Sequence, residues 1–399
     1  MVVIGAGLVG LAVARRIQQV RPGASIAVID KEDRVAAHQS GHNSGVVHAG
    51  VYYPPGSLKA QLCRRGVGLL RDLATEHAVA WRDLGKVVVA TTAAEQQRLT
   101  QIAARANANG VPGLALLGPT GLHDLEPHVV GVAALHSPST AVVDFPGVAR
   151  VLAAQIEAEG GEVLLGCEVT EIRDEAAGVR VCTRGARSAS EGASVVTARE
   201  VVICAGLHAD RVARLAGGSP DPVIIPFRGE YHLLRPERAH LVRGLVYPVP
   251  DPRYPFLGVH LTRRVDGTVD VGPNAVLALA REGYGRADLR WADLMEMGRS
   301  RGLIALAREH WVTGVREVLG SLSGRRFVEE ARRYVPELTA ADLARGPTGV
   351  RAQALERDGS LVDDFVIERS GAVTAVRNAP SPAATSCLAI AEHIVDRLG

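Results

Sequence analysis

The sequence is poor in cysteine, with five cysteines among 399 residues. They are odd in number, widely spaced and form no C-x-x-C pair, which argues against a cysteine zinc site and against a disulfide framework. We therefore expect the protein to reside in a reducing compartment. Aromatic residues are also scarce, at 4%, so aliphatic side chains must supply most of the core.

The sequence also lacks an excess of either charge and any long apolar run. Lys and Arg number 45 against 43 Asp and Glu, which leaves no field for binding nucleic acid. No uncharged apolar stretch approaches the roughly eighteen residues that span a membrane, and no basic-then-apolar leader precedes the first strand. We expect a cytoplasmic protein, with peripheral attachment to the inner face of the cell membrane as the alternative.

The first thirty residues combine a short strand, a tight turn and a helix. The glycines of the turn follow G-x-G-x-x-G spacing at Gly5, Gly7 and Gly10. The pyrophosphate of a dinucleotide requires such a turn, a bare backbone and a helix N-terminus. Asp30 ends the next apolar strand, where an acid accepts hydrogen bonds from the adenosine ribose. This order predicts a dinucleotide site; a glycine-rich turn without a ligand is the alternative.

The hydrophobic pattern changes along the chain in a way that predicts two interleaved domains. Residues 223–271 alternate with period two and contain several prolines, which is typical of an antiparallel sheet. Strands and helices alternate near both ends of the chain. We predict an α/β fold, α+β overall, with a discontinuous Rossmann-like domain at 1–85, 146–212 and 335–399. The antiparallel-sheet domain would comprise 86–145 and 213–334.

Several blocks of sequence resemble the D-amino-acid-oxidase family of FAD-dependent oxidoreductases. The blocks are the opening glycine motif, the strand that ends at Ala205-Gly206 and the segment 378–385. Within that family, the segments 41–60, 226–231, 249–260 and 270–274 resemble L-2-hydroxyglutarate dehydrogenases, also called oxidases. Two departures are Ala6, where a third glycine is common, and Asp30, where Glu is usual.

The resemblance implies an enzyme that uses FAD to oxidise the CH–OH group of L-2-hydroxyglutarate. Hydride would pass from C2 to flavin N5, giving 2-oxoglutarate, and a quinone or O2 would accept the electrons. One alternative is a flavin amine oxidase of the glycine or sarcosine type, which amines but not hydroxy acids would reduce. The other is a non-catalytic dinucleotide-binding redox sensor, which neither class of compound would reduce.

Oxidation of a hydroxy acid requires a base for the hydroxyl proton and cations for the carboxylates. His48 and His260 are the two candidates for the base, each with a structural histidine as the alternative. The resemblance implies that Arg351 pairs with a substrate carboxylate. Further candidates for contact with the substrate are Tyr231, Arg228, Tyr53, Lys59 and Gln353. A buried pair with Glu230 is the alternative for Arg228, and a solvated helix face is the alternative for Lys59.

The resemblance also implies a set of residues that hold FAD. The pyrophosphate would contact Gly5, Gly7, Leu8, Val9 and Gly10, with Ala205 and Gly206 on its other side, while Asp30 and Lys31 flank the ribose and Val169 meets adenine. His42, Asn43, Ser44 and Val47 would line the ribityl chain and ring, and Ser381, Ala384 and Thr385 would open the helix that faces the pyrimidine end. No metal site is expected, because His38 and His42 lack a third ligand in a metal-binding pattern.

Apolar residues recur at near-helical spacing between residues 289 and 322, with arginines among them. An ordinary helical cap that buries its apolar stripe on the sheet explains this pattern. The alternative is a peripheral membrane contact that brings a quinone close to the flavin.

Overall fold

Two large sheets organise the chain, as seen in a computed structural model that describes residues 1–185, 194–251, 258–308 and 324–398. Helices cover the sheets and connect their strands. The helices are Leu8–Val20, Leu58–Glu76, Ala93–Ala108, Pro119–Leu125, Phe145–Ala158, Ala209–Leu215, Trp291–Arg299, Gly324–Arg332 and Ala383–Val395. Residues 301–308 are also helical. The described part of the sequence pattern at 289–322 therefore forms two short helices that are separated at Ser300, and the helix begins at Trp291 rather than at Leu289. Residues 309–322 lie outside the described residues.

The first sheet has six strands, five of them parallel. Their order is Val366–Ser370, Val373–Asn378, Val201–Ile203, Val2–Ile4, Ala27–Ile29 and Glu162–Leu164, with the first strand antiparallel. Val3 packs with the helices on one face, while Val2 and Ile4 pack on the other. Burial on both faces explains why these strands are continuous apolar runs. From Val2–Ile4 the chain continues on one side to Ala27–Ile29 and Glu162–Leu164, and it later returns on the other side at Val201–Ile203. The strand order therefore switches at Val2–Ile4, and a crevice opens at its carboxyl end.

Among the described residues the second sheet has nine strands and is mostly antiparallel. Eight follow the order Val276–Leu277, Val223–Leu234, Val269–Gly272, His260–Arg263, Leu245–Pro248, Lys86–Ala90, Ala133–Ser137 and Ala115–Leu117, and Leu343–Leu355 also pairs with Val223–Leu234. Two small sheets complete the strands: Cys167–Glu175 with Gly178–Gly185 and Ser194–Ala198, and Val46–Val47 with Ala141–Val143 and Trp81–Asp83. Leu245–Pro248 and Lys86–Ala90 are parallel, which the sequence pattern did not predict.

Successive segments of the chain contribute strands to one large sheet and then to the other, so each large sheet contains strands from segments far apart in sequence. One strand departs from the predicted grouping. Leu343–Leu355 lies in the segment 335–399, which the sequence pattern assigned to the Rossmann-like part. It pairs instead with Val223–Leu234 in the second sheet, because a long extended partner was available there. The domain boundaries themselves stay a prediction.

The two ends of the chain fold against each other. The last helix, Ala383–Val395, packs on both Leu8–Val20 and Leu58–Glu76. A Cβ at Gly66 would lie 2.5 Å from the carbonyl oxygen of Thr385, so this glycine lets the two helices approach closely. Within the described residues, none of the helices combines the length and the apolar character needed to cross a membrane.

Candidate active site

A cavity of about 1160 Å³ lies between the two large sheets. At one end it is lined by the glycine turn and the start of the first helix. At the other end it is lined by side chains of the second sheet and by the start of the last helix. The cavity therefore joins the predicted dinucleotide site to the predicted substrate residues.

The glycine turn needs glycine for two separate reasons. Gly5 has a φ of +109°, and a Cβ there would lie 2.3 Å from the carbonyl oxygen of Cys204. A Cβ at Gly10 would lie 1.9 Å from the carbonyl oxygen of Gly5. Gly7 precedes the helix Leu8–Val20 and lines the cavity with its backbone bare. Backbone and helix N-terminus are thus presented to the cavity as anion binding requires.

Asp30 is held at this turn by the backbone. One carboxylate oxygen accepts the N–H of Ala6 at 2.6 Å, and the other accepts the N–H of Glu32 at 2.9 Å. Ser40 accepts the N–H of Leu8 at 3.0 Å through its hydroxyl. Asp30 therefore lies at the edge of the cavity with its orientation set by main-chain donors.

Most of the residues predicted to hold the dinucleotide line the cavity. They are Gly5, Gly7, Leu8, Val9, Asp30, Lys31, His42, Asn43, Ser44, Val169, Ala205, Gly206, Ser381, Ala384 and Thr385. Gly10 and Val47 do not line it. Gly10 packs against the turn itself, and Val47 is fully buried in the core between the helices. Both residues pack beside the cavity without forming part of its surface.

His48 is fixed between two elements. Its N–H donates to the hydroxyl of Thr385 at 3.0 Å, and its carbonyl accepts from the thiol of Cys63 at 3.1 Å. Its ring Nε2 lies 3.5 Å from the hydroxyl oxygen of Ser381, at the start of the last helix. Burial lowers the pKa of His48 to about 3, and the charge of Lys86 contributes in the same direction.

His260 is the second neutral imidazole of the cavity. Burial lowers its pKa to about 4, although a hydrogen bond to Gly258 opposes this shift. That bond joins Nδ1 to the carbonyl oxygen of Gly258 at 3.0 Å. A carbonyl can only accept, so Nδ1 carries the proton and Nε2 retains a free lone pair. The His260 ring stacks on Tyr247 with centroids 4.1 Å apart.

Cationic and phenolic groups line the same end of the cavity. Arg351 hydrogen-bonds Tyr231, whose pKa burial raises. Lys59 is only 5% exposed, so it does not lie on a solvated helix face. Its ammonium donates to the carbonyl of Asp363 at 2.6 Å and to the carboxylate at 2.8 Å, and it lies 5.5 Å from the ring of Tyr53.

Two other predicted substrate residues are engaged with the protein. Gln353 lines the cavity but donates its amide N–H to the carbonyl of Ala354 at 3.2 Å. Arg228 does not line the cavity: it is buried and pairs with Glu230 at 3.1 Å. Glu230 also binds Arg286 at 2.9 Å. The structure therefore places Arg228 in the buried pair that was its alternative reading.

Three residues of the site were missed by the sequence reasoning. Tyr52 and Tyr247 line the cavity. Lys86 does not line it, but its ammonium lies directly behind these rings, 4.6 Å and 5.1 Å from their centroids. One signal was available, because Lys86 opens the otherwise apolar strand Lys86–Ala90. A lysine at such a position is rarely buried without a reason.

Ligand atoms of Glu32, His38 and Glu282 lie within 4.8 Å of one another at the dinucleotide end of the cavity. The ammonium of Lys31 binds both carboxylates, at 2.6 Å for Glu282. His208 also binds Glu282, at 2.8 Å. A lysine thus supplies the positive charge that these acids would otherwise seek from a metal. The network joins the loop after Asp30 to the segment that follows the strand Val276–Leu277 and to His208.

The profile of a family described as FAD dependent oxidoreductase matches residues 1–397. The chain belongs to the family of FAD-dependent oxidoreductases. Members include the mitochondrial L-2-hydroxyglutarate dehydrogenase of Nematostella vectensis, 43% identical over 99% of this chain and 89% of the relative. The human mitochondrial enzyme of the same name is 42% identical, over 100% and 88%. The enzyme of Salmonella houtenae is 42% identical, over 100% and 92%.

Solved structures of other flavin enzymes share the fold of this chain. The FAD-bound L-alpha-glycerophosphate oxidase of Mycoplasma pneumoniae has a TM-score of 0.81 at 20% identity, with 100% of this chain and 94% of that chain covered. The glycine oxidase of Geobacillus kaustophilus has a TM-score of 0.71 at 18% identity, with 100% and 93% covered. At these identities the likeness concerns the fold alone.

FAD is the cofactor of this FAD-dependent oxidoreductase, and the described residues fit it. The two glycines whose Cβ atoms would collide with backbone form a turn that only a bare chain can make. The adjoining helix N-terminus lines the cavity, which extends from this turn to the neutral histidines. Size, shape and donor groups are therefore those of a dinucleotide site.

Proposed function

We propose that this enzyme oxidises the CH–OH group of L-2-hydroxyglutarate to give 2-oxoglutarate. The observation that carries the proposal is the pair of neutral imidazoles, His48 and His260, beside Arg351 in a cavity that reaches the glycine turn. Relatives at 42–43% identity over nearly the whole chain, named for this substrate, support it. When bound, FAD supplies the acceptor for the hydride that leaves C2.

A neutral imidazole is the proton acceptor in this proposal. Both histidines are neutral at neutral pH, so each has one unprotonated ring nitrogen, because burial and nearby cations disfavour a further positive charge. The tautomer of His260 leaves Nε2 available, and His48 lies next to the start of the last helix. Either ring accepts the substrate hydroxyl proton as C2 is oxidised. A dianionic substrate then stabilises the imidazolium that forms.

Arg351 binds the carboxylate next to C2. A guanidinium pairs with a carboxylate through two parallel hydrogen bonds, which fixes orientation as well as position. Tyr231, hydrogen-bonded to Arg351, holds the arginine in place. Burial keeps Tyr231 protonated, so its hydroxyl remains a hydrogen-bond donor. Tyr53, which also lines the cavity, closes the site beside Lys59.

The cofactor contacts proposed from the sequence are retained for residues that line the cavity. Gly5, Gly7, Leu8 and Val9 would hold the pyrophosphate, and Asp30 would bind the ribose. Ser381, Ala384 and Thr385, at the start of the last helix, would face the pyrimidine end of the ring. The N-terminal end of this helix favours negative charge there.

Electrons leave the enzyme to a quinone or to O2 in this proposal. Exposed apolar side chains, Leu289, Trp291 and Met295, border the second sheet, and Trp291 is 73% exposed. Arg290 and Arg299 lie close to them in sequence. Aromatic and aliphatic groups next to arginines suit a peripheral contact with an anionic membrane, where quinones dissolve.

Anaerobic mixing of the FAD-loaded enzyme with single substrates tests the proposal. The absorbance of oxidised flavin should disappear with L-2-hydroxyglutarate but persist with D-2-hydroxyglutarate, lactate, malate and sarcosine. Bleaching by sarcosine or glycine alone would identify an amine oxidase instead. Absorbance that persists with every compound would indicate a redox sensor. Adding a soluble quinone or O2 to the reduced enzyme then measures which acceptor restores the absorbance faster.

A further inference from the structure

Lys86 is a buried cation without a protein anion. Its side chain is 1% exposed, and no carboxylate of the described residues lies within 4.0 Å of its ammonium. Other buried cations of the described chain do have such partners. Lys59 binds Asp363, Arg281 binds Asp210 and Arg377 binds Glu368. Burying a charge without an opposite charge is costly, so Lys86 needs an explanation.

The sheet brings Lys86 onto the face that lines the active site. Lys86 pairs with Leu245, and Leu245 pairs in turn with Thr262. Side chains alternate along a strand, so Tyr247 lies on the same face as Leu245, and His260 on the same face as Thr262. Lys86, Tyr247 and His260 consequently share one face of the second sheet.

Tyr52 supplies a second unsatisfied group at this place. Its hydroxyl is buried and has no hydrogen-bond partner. The ammonium of Lys86 lies 4.6 Å from the ring centroid of Tyr52 and 5.1 Å from that of Tyr247, and both rings line the cavity. The buried cation without an anion therefore lies against the ring of the same tyrosine whose hydroxyl has no acceptor. One carboxylate in the cavity satisfies both.

We infer that Lys86 and Tyr52 form a subsite for the second carboxylate of a dicarboxylic hydroxy acid, the carboxylate remote from C2. This inference rests on the proposed function and assigns the residue that selects dicarboxylates. Arg351 takes the carboxylate next to C2. Lys59, a lysine that the sequence analysis named as a candidate for contact with the substrate, already pairs with Asp363.

The charge state of Lys86 suits this role. Burial lowers its pKa to about 8, so the ammonium is still mostly protonated at neutral pH. The rings of Tyr52 and Tyr247 stabilise it in the absence of substrate through cation–π contacts. A carboxylate held beside these rings supplies the negative charge that Lys86 lacks, across the short distance between the ammonium and the cavity.

Lys86→Met, which keeps the length and removes the charge, tests the subsite in the FAD-loaded enzyme. The substrates are L-2-hydroxyglutarate and L-2-hydroxyvalerate, which has the same chain length but no remote carboxylate. We expect kcat/KM for L-2-hydroxyglutarate to fall on the order of tenfold to a hundredfold, and kcat/KM for L-2-hydroxyvalerate to change less than about twofold. Tyr52→Phe should reduce the same preference by a smaller factor.

Arg351→Met is the matched control, because it should impair both substrates by similar factors. The inference would be overturned if Lys86→Met lost activity equally with L-2-hydroxyglutarate and L-2-hydroxyvalerate, or if the ratio of the two kcat/KM values stayed as in the wild-type enzyme. Thermal unfolding and FAD content identify a variant that is misfolded. In that case the Tyr52→Phe variant, which leaves Lys86 in place, provides the test. If its preference for L-2-hydroxyglutarate over L-2-hydroxyvalerate equals that of the wild-type enzyme, the subsite is rejected.

Calorimetric binding of glutarate and butyrate to the FAD-loaded enzyme separates this inference from the proposed function. Neither compound carries a hydroxyl group, so neither is oxidised. Glutarate should bind the wild-type enzyme more tightly than butyrate, and Lys86→Met should remove the difference. If the wild-type enzyme does not oxidise L-2-hydroxyglutarate, the proposed function fails while this measurement still decides the subsite. A preference for glutarate that survives in Lys86→Met excludes Lys86.

Discussion

At the scale of single residues, the active site depends on groups whose charge is set by their surroundings. An exposed histidine has a pKa near 6.5 and is partly charged at neutral pH. His48 and His260 line the cavity together with Arg351, and burial lowers their pKa values to about 3 and about 4, with the charges of Lys86 and Arg351 acting in the same direction. The sequence identified both histidines as candidates, but it could not indicate that either one is neutral.

Single variants His48→Asn and His260→Asn should show which ring accepts the proton. Loss of the base should reduce kcat by about 10²–10⁴-fold, whereas loss of the other ring should mainly raise KM. Steady-state kinetics with L-2-hydroxyglutarate, with FAD content measured for each variant, makes the comparison. Equally small effects on kcat in both variants would exclude the two histidines as the base.

At the scale of elements, the strand, glycine turn and helix at the start of the chain form one unit that the sequence predicts well. Its signals are local: three glycines at fixed spacing, an apolar strand before them and helical periodicity after them. The parallel pairing of Lys86–Ala90 with Leu245–Pro248 was not predictable in this way. These strands are far apart in sequence, so their pairing depends on how the whole sheet assembles.

Gly7→Ala should weaken FAD binding while leaving the fold intact. Gly7 has a φ of −81°, which alanine adopts readily, and a Cβ there would meet only the hydroxyl of Ser40, at 3.1 Å. The methyl group would stand where the pyrophosphate approaches, so we expect the Kd for FAD to rise on the order of tenfold. Fluorescence titration of the apoprotein with FAD measures this.

Gly68→Ala is the matched control for Gly7→Ala. Gly68 lies in the helix Leu58–Glu76 with nothing within 4 Å of an added Cβ. This variant should keep wild-type FAD affinity and gain up to about 1 kcal/mol in the free energy of unfolding, because alanine favours helix more than glycine. Wild-type FAD affinity in Gly7→Ala would show that the cofactor does not approach the turn at this position.

At the scale of the whole molecule, folding changes the pKa of two histidines. In the unfolded chain both have the usual histidine pKa, and in the folded chain both remain neutral at lower pH. Their pKa values are lowered from near 6.5 to about 3 and about 4. Below pH 6.5 the unfolded chain therefore binds more protons than the folded chain. Above this pH the histidines are neutral in both states, and the free energy of unfolding has its full value. It decreases as the pH falls toward and through the pKa values of the folded state, because the unfolded chain takes up the protons first.

The free energy of unfolding should consequently decrease between about pH 6.5 and pH 4. Urea denaturation at pH 7, 6 and 5 measures this decrease. The double variant His48→Asn/His260→Asn, which cannot take up these protons, should show a shallower dependence on pH over the same range. Identical slopes for the wild-type protein and the double variant would mean that other groups cause the acid sensitivity.

The sequence by itself determined the features that depend on local pattern. Glycine spacing produced the turn, apolar runs produced the buried strands, and period-two alternation produced most of the second sheet. Only the tertiary structure decided which charges meet across the fold. Lys59 acquires Asp363, Arg281 acquires Asp210, and Lys86 is left without a carboxylate among the described residues. The physical reason is that charge state and pairing depend on burial and on distances between distant segments, which arise only when the sheets close around the cavity.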